Sequence, residues 1–456
     1  MTTIKLDPGA ALLLDALHGA GHAAYAVGGC VRDSLLGLDP HDWDLCTSAR
    51  PEQVMALFGE EKCIPTGLQH GTVTVKQGGR LYETTTFRTE GAYSDGRHPD
   101  AVCFVPDVRE DLARRDFTIN AMAYSAEEGL IDPFGGRDDL AAHLVRAVGE
   151  PERRFEEDAL RILRLYRFAA RFGFAIDPAT GAAARALGPH LDCVSAERIQ
   201  EELLKLLAAP RPGSYLEPAV LAVILPELEP EKQPERFAEL CRTIDRIEPT
   251  AENVPTRLAA LLWPLGEAGA RKALRKLKCS NALTDEVTAL VGGSVGSFLL
   301  PRSRDRRAGS SSEDRPLGWD PAAAGSRAGD GMARFASEEE APGTPGSEMT
   351  LTAKRLLGRY ELPTVQRLAA LCSARHPEQA EAFAALRAEA ERLTAENACC
   401  RVSQLAVNGR DLMAAGVRPG PGLRQVLNAL LEAVITGQTP NEKDALLAAA
   451  AQFSAS

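Results

Sequence analysis

The chain has 456 residues, of which 45% are hydrophobic and 25% charged, with ten cysteines and a formal net charge of −11. This composition is typical of a soluble protein with room for several domains, and the acidic balance argues against a nucleic-acid partner unless basic residues cluster locally. The cysteines form no C-x-x-C pair, the start MTTIKLDPGA is unlike a signal peptide and no apolar run could span a membrane, so we expect a cytoplasmic protein with reduced thiols and no membrane partner.

A phosphate-binding turn is predicted soon after an amphipathic helix at residues 6–20. Residues 25–27 form a short apolar run typical of a buried strand, and Gly28 and Gly29 follow at once. Residues 31–36 then have helical character. Because glycines lack side chains and the start of a helix has free N–H groups, this strand, turn and helix would let a phosphate approach the backbone.

Two carboxylates follow in the sequence DWDL. The alternation predicts a strand in which Asp42 and Asp44 project from the same face. Such carboxylates repel each other unless a cation lies between them, and oxygen ligands favour Mg²⁺. Arg32 would add a fixed positive charge. A glycine pair or an Asp-x-Asp alone is more often an ordinary turn or a solvated loop, but their combination in one short stretch predicts a nucleoside triphosphate held beside a metal pair.

The stretch GGCVRDSLLG followed by DWD resembles the nucleotidyltransferase signature of class II tRNA CCA-adding enzymes and bacterial poly(A) polymerases. The resemblance implies an α+β chain with a five-stranded head of polymerase-β type, followed by all-α neck, body and tail domains. The expected divisions are head 1–150, base-reading neck 151–212, body 213–292, a low-complexity insertion 293–347, and a tRNA-binding body and tail 348–456.

Further along the head, residues 51–58 predict a helix, and residues 72–77 and 80–88 predict a hairpin. Glu83 in the second strand is a candidate third metal ligand, with an exposed strand glutamate as the alternative. Residues 89–104 lack periodicity and predict a mobile loop, which the family also has in this place.

The sequence RRDFTIN at residues 114–120 is the next motif. Taken alone it is a surface charge cluster, but it resembles the family motif that recognises the ribose. Asp116 and Asn120 could hydrogen-bond hydroxyl groups, and Arg115 could face a phosphate. In DPFGG, residues 132–136, a predicted turn coincides with the family's hinge.

Residues 153–174 predict one helix that carries Asp158 and Arg161 on one face. The simplest interpretation is a salt bridge between them. The alternative is base recognition: an aspartate accepts and an arginine donates, which fits the amino group and ring nitrogen of C and A but not G or U. EDALRILR resembles the family's base-reading motif, which favours recognition. Arg164 and Arg167, on the following turns, could reach the triphosphate.

The sequence SAERIQEE at residues 195–202 predicts the start of a helix and resembles a supporting motif of the family, so we expect Arg198 to prop the base-reading helix. A basic helix follows at residues 271–278. It is either a solvated face or a contact for RNA phosphates, and the candidate residues are Arg271, Lys272, Arg275 and Lys276.

Residues 293–347 are rich in Gly, Ser, Pro and charged residues, and this composition predicts disorder. The family normally continues from helix to helix there, so this stretch departs from the pattern. Beyond it, NGRDL at residues 408–412 resembles the tail of the shorter bacterial CCA-adding enzymes.

Together these features predict an enzyme that adds CCA to the tRNA 3′ end from CTP and ATP, with Mg²⁺ as cofactor, a two-magnesium mechanism and no obligatory protein partner. A poly(A) polymerase or an A-adding enzyme of the same family is the nearest alternative. A non-catalytic RNA-binding protein is another alternative, and the paired carboxylates argue against it because a protein that only binds RNA does not need them. A nucleotidyltransferase that acts on small molecules is a third alternative, which the base-reading helix disfavours.

Overall fold

The computed structural model describes residues 3–90, 102–293 and 348–453. Most of the predicted loop and nearly all of the predicted insertion therefore lie outside the described residues. The chain divides into two compact units, Met1–Cys241 and Arg242–Ser456. In the described ranges, no helix is both long and apolar enough to cross a membrane.

The first unit is built on a seven-stranded sheet in the order β3-β4-β5-β2-β1-β8-β9. Two short two-stranded pairings, β6-β7 and β10-β11, accompany it. The strands are β1 (Ala24–Val27), β2 (Leu45–Thr47), β3 (Cys63–Gly67), β4 (Thr72–Gln77), β5 (Arg80–Thr86), β6 (Arg88–Glu90), β7 (Val102–Phe104), β8 (Ala123–Ser125), β9 (Gly129–Ile131), β10 (Leu144–Val145) and β11 (Ala175–Ile176). The predicted hairpin β4–β5 is confirmed, but the expected count of five strands is wrong for this sheet, because β8 and β9 extend it beside β1.

The helices of the first unit surround this sheet and continue beyond it. They are α1 (Pro8–Gly19), α2 (Gly29–Leu35), α3 (Pro51–Phe58), α4 (Val108–Ala113), α5 (Gly136–Ala141), α6 (Pro151–Glu157), α7 (Leu160–Phe172), α8 (Pro178–Ala186), α9 (Ala196–Leu207), α10 (Pro218–Ile224) and α11 (Pro234–Arg246), the last of which contains the unit boundary. One face of the sheet is covered by α4, with Tyr25, Cys46, Phe87 and Leu112 in a common core. The α+β fold is confirmed.

The strand predicted at Asp42 begins three residues later, at Leu45. Asp42 and Asp44 therefore precede β2 rather than lying within it. The amide of Val27 at the end of β1 donates to the Asp44 carbonyl at 2.9 Å, which fixes the approach to the strand. The two carboxylates thus lie where β2 enters the sheet, next to the end of β1.

The single helix predicted at residues 153–174 is also wrong, since α6 and α7 are separated at Asp158. Asp158 has extended backbone angles (φ −149°, ψ 103°), and its Oδ1 accepts the Leu160 amide at 3.1 Å. Aspartate competes with the helix for backbone N–H groups and is favoured at helix starts. The Asp158 side chain, which we assigned to base recognition, therefore also accepts the first amide of α7.

The second unit is helical throughout its described part. Its helices are α12 (Val254–Leu262), α13 (Gly266–Lys276), α14 (Asn281–Gly292), α15 (Glu348–Arg359), α16 (Leu362–Arg375), α17 (Ala380–Ala395), α18 (Gly409–Ala414), α19 (Pro421–Ile435) and α20 (Lys443–Phe453). The last three helices share a core that includes Leu412, Val426, Leu430 and Leu446. Asn408, in the NGRDL sequence, caps α18 by accepting the amides of Arg410 and Asp411.

Candidate active site

The turn between β1 and α2 requires glycine. Gly28 has a φ of +77°, in the left-handed region where other residues are strained. A Cβ there would stand 2.8 Å from Nη1 of Arg115, so the absence of a side chain also lets the guanidinium lie against the backbone. The Arg115 Nε is buried and has no hydrogen-bond partner in the part of the chain that the structure describes. Arg115, predicted to face a phosphate, therefore lies beside the Gly28 turn.

Asp42 and Asp44 are exposed on either side of the buried Trp43. Because β2 and β5 are parallel with Leu45 opposite Thr84, Asp44 is the neighbour of Glu83, and alternation puts both on one face. Desolvation and then the charges of Glu83 and Asp42 raise the pKa of Asp44, while Arg115 opposes them. The Asp44 side chain is open to solvent. A cation could therefore reach it and relieve the repulsion between the carboxylates, which is one cause of the raised pKa.

These oxygen donors fit a hard divalent cation such as Mg²⁺ in chemistry and charge. Their arrangement is open, however: within residues 3–90, 102–293 and 348–453, no three Asp, Glu, His or Cys side chains converge as a metal-binding group. Glu83 influences Asp44 electrostatically without completing a ligand set in this conformation.

Asp116 is the buried centre of the RRDFTIN motif. Its Oδ1 accepts the Phe117 amide at 2.8 Å and Nδ2 of Asn120 at 3.0 Å, and its Oδ2 accepts Nε of Arg164 at 2.9 Å. Burial alone would raise the pKa of Asp116, but the charge of Arg164 and the Asn120 hydrogen bond hold it well below the usual range. Asp116 is therefore an ionised acceptor that is already strongly held.

Arg32 is buried beneath the glycine turn, with 3% of its surface exposed. Its Nε donates to Asp33 at 2.7 Å and its Nη1 donates to the Asn120 side-chain oxygen. The predicted fixed charge is present in the site. Its hydrogen bonds, however, are directed to protein groups, which places Arg32 behind Asn120 rather than at an open phosphate position.

Asp158 and Arg161 do not form the predicted one-face helical pair, because the helix breaks at Asp158. Asp158 instead accepts Nη2 of Arg198 at 2.8 Å. Arg161 donates to Glu157 at 2.7 Å and to the carbonyls of Arg154 and Arg114, each at 3.1 Å. The two residues are three apart in sequence and their side chains have separate partners, so neither side chain is neutralised by the other. The ion pair of Arg198 with Asp158 agrees with the supporting position predicted for Arg198.

Arg164 and Arg167 are held inside the same unit. Arg164 binds Asp116, and Nε of Arg167 lies 2.6 Å from Oε2 of Glu202. Their predicted reach to a triphosphate would require these ion pairs to open or to be shared.

Several contributing residues escaped the sequence reasoning. Glu202 is the last residue of the recognised SAERIQEE sequence, Asp33 adjoins Arg32, and Phe168 follows Arg167. Nothing in the sequence showed that Glu202 and Phe168 would both contact Arg167, or that Arg32 would pack on Phe168. Asp111, fully buried, accepts Arg114 at 2.8 Å and Arg115 at 3.4 Å. Its spacing of three and four residues before two arginines was an available signal.

The basic residues of α13 fall into two groups, one paired within the protein and one exposed to solvent. Arg271 is half-buried, pairs with Asp285 at 2.8 Å and donates to Thr288 at 2.9 Å, so the prediction of a free RNA contact does not fit it. Lys272, Arg275 and Lys276 are exposed. A solvated basic face of three residues therefore remains available.

Comparison with known proteins gives matches along most of the chain. The poly A polymerase head domain matches residues 24–146, a probable RNA and SrmB-binding site of polymerase A matches residues 173–232, and a putative tRNA nucleotidyltransferase domain 2 matches residues 358–450.

Two relatives illustrate the full-length similarity. The CCA-adding enzyme of Limosilactobacillus fermentum is 34% identical over 450 residues, covering 97% of this chain and 96% of the relative. The CCA-adding enzyme of Geobacillus stearothermophilus is 34% identical over 440 residues, covering 96% and 94%.

Solved structures agree with these sequence matches. The crystal structure of the Bacillus stearothermophilus CCA-adding enzyme in complex with CTP has a TM-score of 0.71 at 31% identity and covers 98% of both chains. The Thermotoga maritima CCA-adding enzyme complexed with tRNA has a TM-score of 0.63 at 20% identity, covers 98% of this chain and 96% of that one, and supports the fold.

Proposed function

Because this chain belongs to the family of CCA-adding enzymes, which are tRNA nucleotidyltransferases, we propose that it adds C, C and A to the 3′ end of tRNA from CTP and ATP. The observation that carries the proposal is the placement of the exposed Asp42 and Asp44 beside the Gly28 turn and Arg115. A relative of 31% identity with CTP bound supports a nucleotide substrate.

In this proposal Asp42 and Asp44 hold two Mg²⁺ ions, with Glu83 as the third carboxylate. Desolvation and then the charges of Glu83 and Asp42 raise the pKa of Asp44, and a cation held between the carboxylates would relieve their mutual repulsion. When bound, Mg²⁺ supplies positive charge for the reacting 3′-hydroxyl and the departing pyrophosphate. The protein's part is to keep the carboxylates on one face and to leave them open to the incoming 3′ end.

The sugar and phosphates are held by the motif around Asp116. We assign Asp116 and Asn120 to the ribose hydroxyls, since both carry acceptor atoms in one hydrogen-bonded group. The phosphates lie along Gly28 and Gly29, where Arg115 has a buried Nε without a protein partner in the described ranges. Arg32 orients Asn120 from behind.

Base selection belongs to Asp158 and Arg161. Arg198 anchors Asp158 and Glu157 anchors Arg161. The two side chains are therefore oriented without forming an ion pair with each other. An acceptor beside a donor complements C and A and mismatches G and U. Arg164 and Arg167 contribute positive charge next to Asp116 and are proposed to approach the triphosphate.

The division into head 1–150, neck 151–212, body 213–292 and tail-containing segment 348–456 remains part of the proposal. The exposed Lys272, Arg275 and Lys276 are the proposed phosphate contacts of the body for RNA. A poly(A) polymerase or an A-adding enzyme is the second candidate, favoured by the match of the head to the poly A polymerase head domain.

One assay separates these candidates. The chain is incubated with Mg²⁺ and a tRNA that lacks its CCA end, with CTP, ATP, UTP or GTP alone and then with CTP and ATP together, and the 3′ ends are sequenced. We expect addition of two C residues with CTP and completion to CCA with both. Addition of A residues alone, or of long A tracts, would favour the second candidate.

A further inference from the structure

A cluster of aromatic rings and arginines connects α2 to α7, and neither the family motifs nor the proposed contacts with the nucleotide account for it. Phe168 and Phe172, one helical turn apart on α7, have parallel rings with centroids 6.3 Å apart. The Arg32 guanidinium lies 4.9 Å from the Phe172 ring and 5.3 Å from the Phe168 ring. A planar cation over aromatic faces is attracted by their negative charge density, so the buried Arg32 rests on α7.

A charged contact reinforces the aromatic one. Arg171, the residue before Phe172, donates to Oδ2 of Asp33 at 3.1 Å, while Oδ1 of Asp33 accepts Nε of Arg32 at 2.7 Å. The Arg171 guanidinium also lies 4.9 Å from the Phe172 ring. Asp33 is thus shared between one arginine of its own helix and one of α7.

The contacts close into a circuit. Arg32 donates to Asn120, Asn120 donates to Asp116, and Asp116 accepts Arg164 of α7. The Arg164 guanidinium lies 5.4 Å from the Phe168 ring, which returns the circuit to Arg32. Because Oδ1 of Asn120 accepts and Nδ2 donates, the orientation of this amide is fixed from both sides.

We propose that Phe172 and Arg171 are positioning residues, which hold Arg32 and Asp33 so that Asn120 and Asp116 face the incoming nucleotide. This deepens the proposed function and rests on it. In the described hydrogen bonds, ion pairs and ring contacts, Phe172 and Arg171 contact neither the carboxylate pair nor the base-reading side chains. They act through Arg32, so their removal affects nucleotide binding more than the chemical step.

The first test uses Phe172→Leu, Phe172→Tyr and the control Phe237→Leu. Phe237 is a buried phenylalanine of α11 with no arginine over its ring in the described part of the chain. We expect Phe172→Leu to raise KM and the calorimetric Kd for CTP about five- to thirtyfold, with a smaller change in kcat. Phe172→Tyr keeps the ring and should remain close to the unaltered protein, and Phe237→Leu should lower stability without changing KM.

The second test uses variants of Arg171, so that the proposal can be tested even if Phe172→Leu fails to fold. Arg171 is half exposed, so Arg171→Gln should fold, and we expect it to raise KM for CTP while Arg171→Lys restores it in part. Arg185→Gln, at another half-exposed arginine of the neck, is the control and should leave KM unchanged.

The outcomes separate this inference from the proposed function. If the unaltered protein adds C to tRNA but Phe172→Leu and Arg171→Gln keep its KM and Kd for CTP, the inference is wrong and the function stands. A fall in kcat alone, or equal effects of Phe172→Leu and Phe172→Tyr, would also overturn it. If the unaltered protein adds no nucleotide, the proposed function fails first.

Discussion

At the scale of single residues, the structure separates Asp158 from Arg161 and gives each its own anchor. The sequence identified both residues and the helix that supports them, since those follow from motif and periodicity. It did not predict the break at Asp158, because a capping aspartate inside an otherwise continuous apolar pattern looks the same as a solvated one. It also did not predict that Arg32 is buried, since the two phenylalanines that receive it lie far away in the chain.

The specificity prediction belongs to this scale. In Asp158→Ala or Arg161→Ala, C and A are deprived of a matched hydrogen bond while U and G are relieved of a buried polar mismatch. Discrimination against UTP and GTP should fall by about 10- to 100-fold. The measurement is kcat/KM for all four triphosphates on a tRNA that ends at its discriminator base. Unchanged ratios in both variants, with Arg185→Ala as control, would contradict base reading by these side chains.

A second residue-level prediction concerns Asp111. Although burial raises its pKa, the charges of Arg114 and Arg115 outweigh this effect and lower it. A depressed folded-state pKa contributes stability above the unfolded value of about 3.9, and this contribution disappears as pH falls through the folded value. Asp111→Asn should therefore destabilise the protein at pH 7 by about 3–5 kcal/mol, because it leaves two arginines without their buried partner.

Urea unfolding of the unaltered protein and of Asp111→Asn, at pH 7 and at steps toward pH 3, checks this prediction. The difference in unfolding free energy should shrink once the pH is below about 4. Asp15→Asn, at a solvent-facing carboxylate of α1, should show little difference at any pH. A difference for Asp111→Asn that stays constant with pH would show that its charge does not stabilise the fold.

At the scale of elements, helices and the β4–β5 hairpin could be predicted from periodicity, whereas strand boundaries and added strands could not. β2 has only three residues, and its start is set by pairing with β1 and β5 rather than by its own alternation. The basic helix α13 shows the same limit. Its charge was visible in the sequence, but the pairing of Arg271 with Asp285 depends on how α14 packs beside it.

The salt dependence of tRNA binding tests α13. Replacing Lys272, Arg275 and Lys276 with glutamine should raise KM for tRNA and reduce the slope of log affinity against log salt by about one unit for each phosphate interaction that is removed. Arg271→Gln is the matched control in the same helix. It should leave the slope unchanged, because Arg271 is already paired with Asp285. Equal slopes for the triple variant and the unaltered protein would identify this face as merely solvated.

The hinge-like turn before α5 gives a prediction from packing. A Cβ on Gly136 would lie 2.2 Å from the Thr118 carbonyl oxygen, so Gly136→Ala should destabilise the protein by about 1–3 kcal/mol through overpacking. Gly422→Ala, in the first turn of α19 with open space around it, should instead be neutral or stabilise by about 0.5–1 kcal/mol. Thermal unfolding of both variants decides, and equal shifts would contradict the packing argument.

At the scale of the whole molecule, a chain with a net charge of −11 acts on an acidic substrate in this account. The arginines of the proposed nucleotide site and the exposed Lys272, Arg275 and Lys276 of α13 supply positive charge locally. The order of domains was predicted from the sequence by resemblance and stays a prediction, while similarity to CCA-adding enzymes extends along nearly the full length of the chain. The region of residues 294–347, where the composition departs from the family, lies outside the described structure.

The central claim is that the carboxylates beside the Gly28 turn carry out nucleotide transfer to tRNA. The most direct measurement is the single-turnover rate of C addition by Asp44→Asn at saturating CTP, Mg²⁺ and tRNA, with tRNA Kd measured alongside. We expect the rate to fall by at least about a thousandfold. The Kd for tRNA should change less than about twofold, because the substitution leaves the proposed phosphate contacts Lys272, Arg275 and Lys276 in place. Asp39→Asn, a nearby exposed carboxylate, should keep the full rate. Transfer by Asp44→Asn at a rate comparable to that of the unaltered protein would contradict the account.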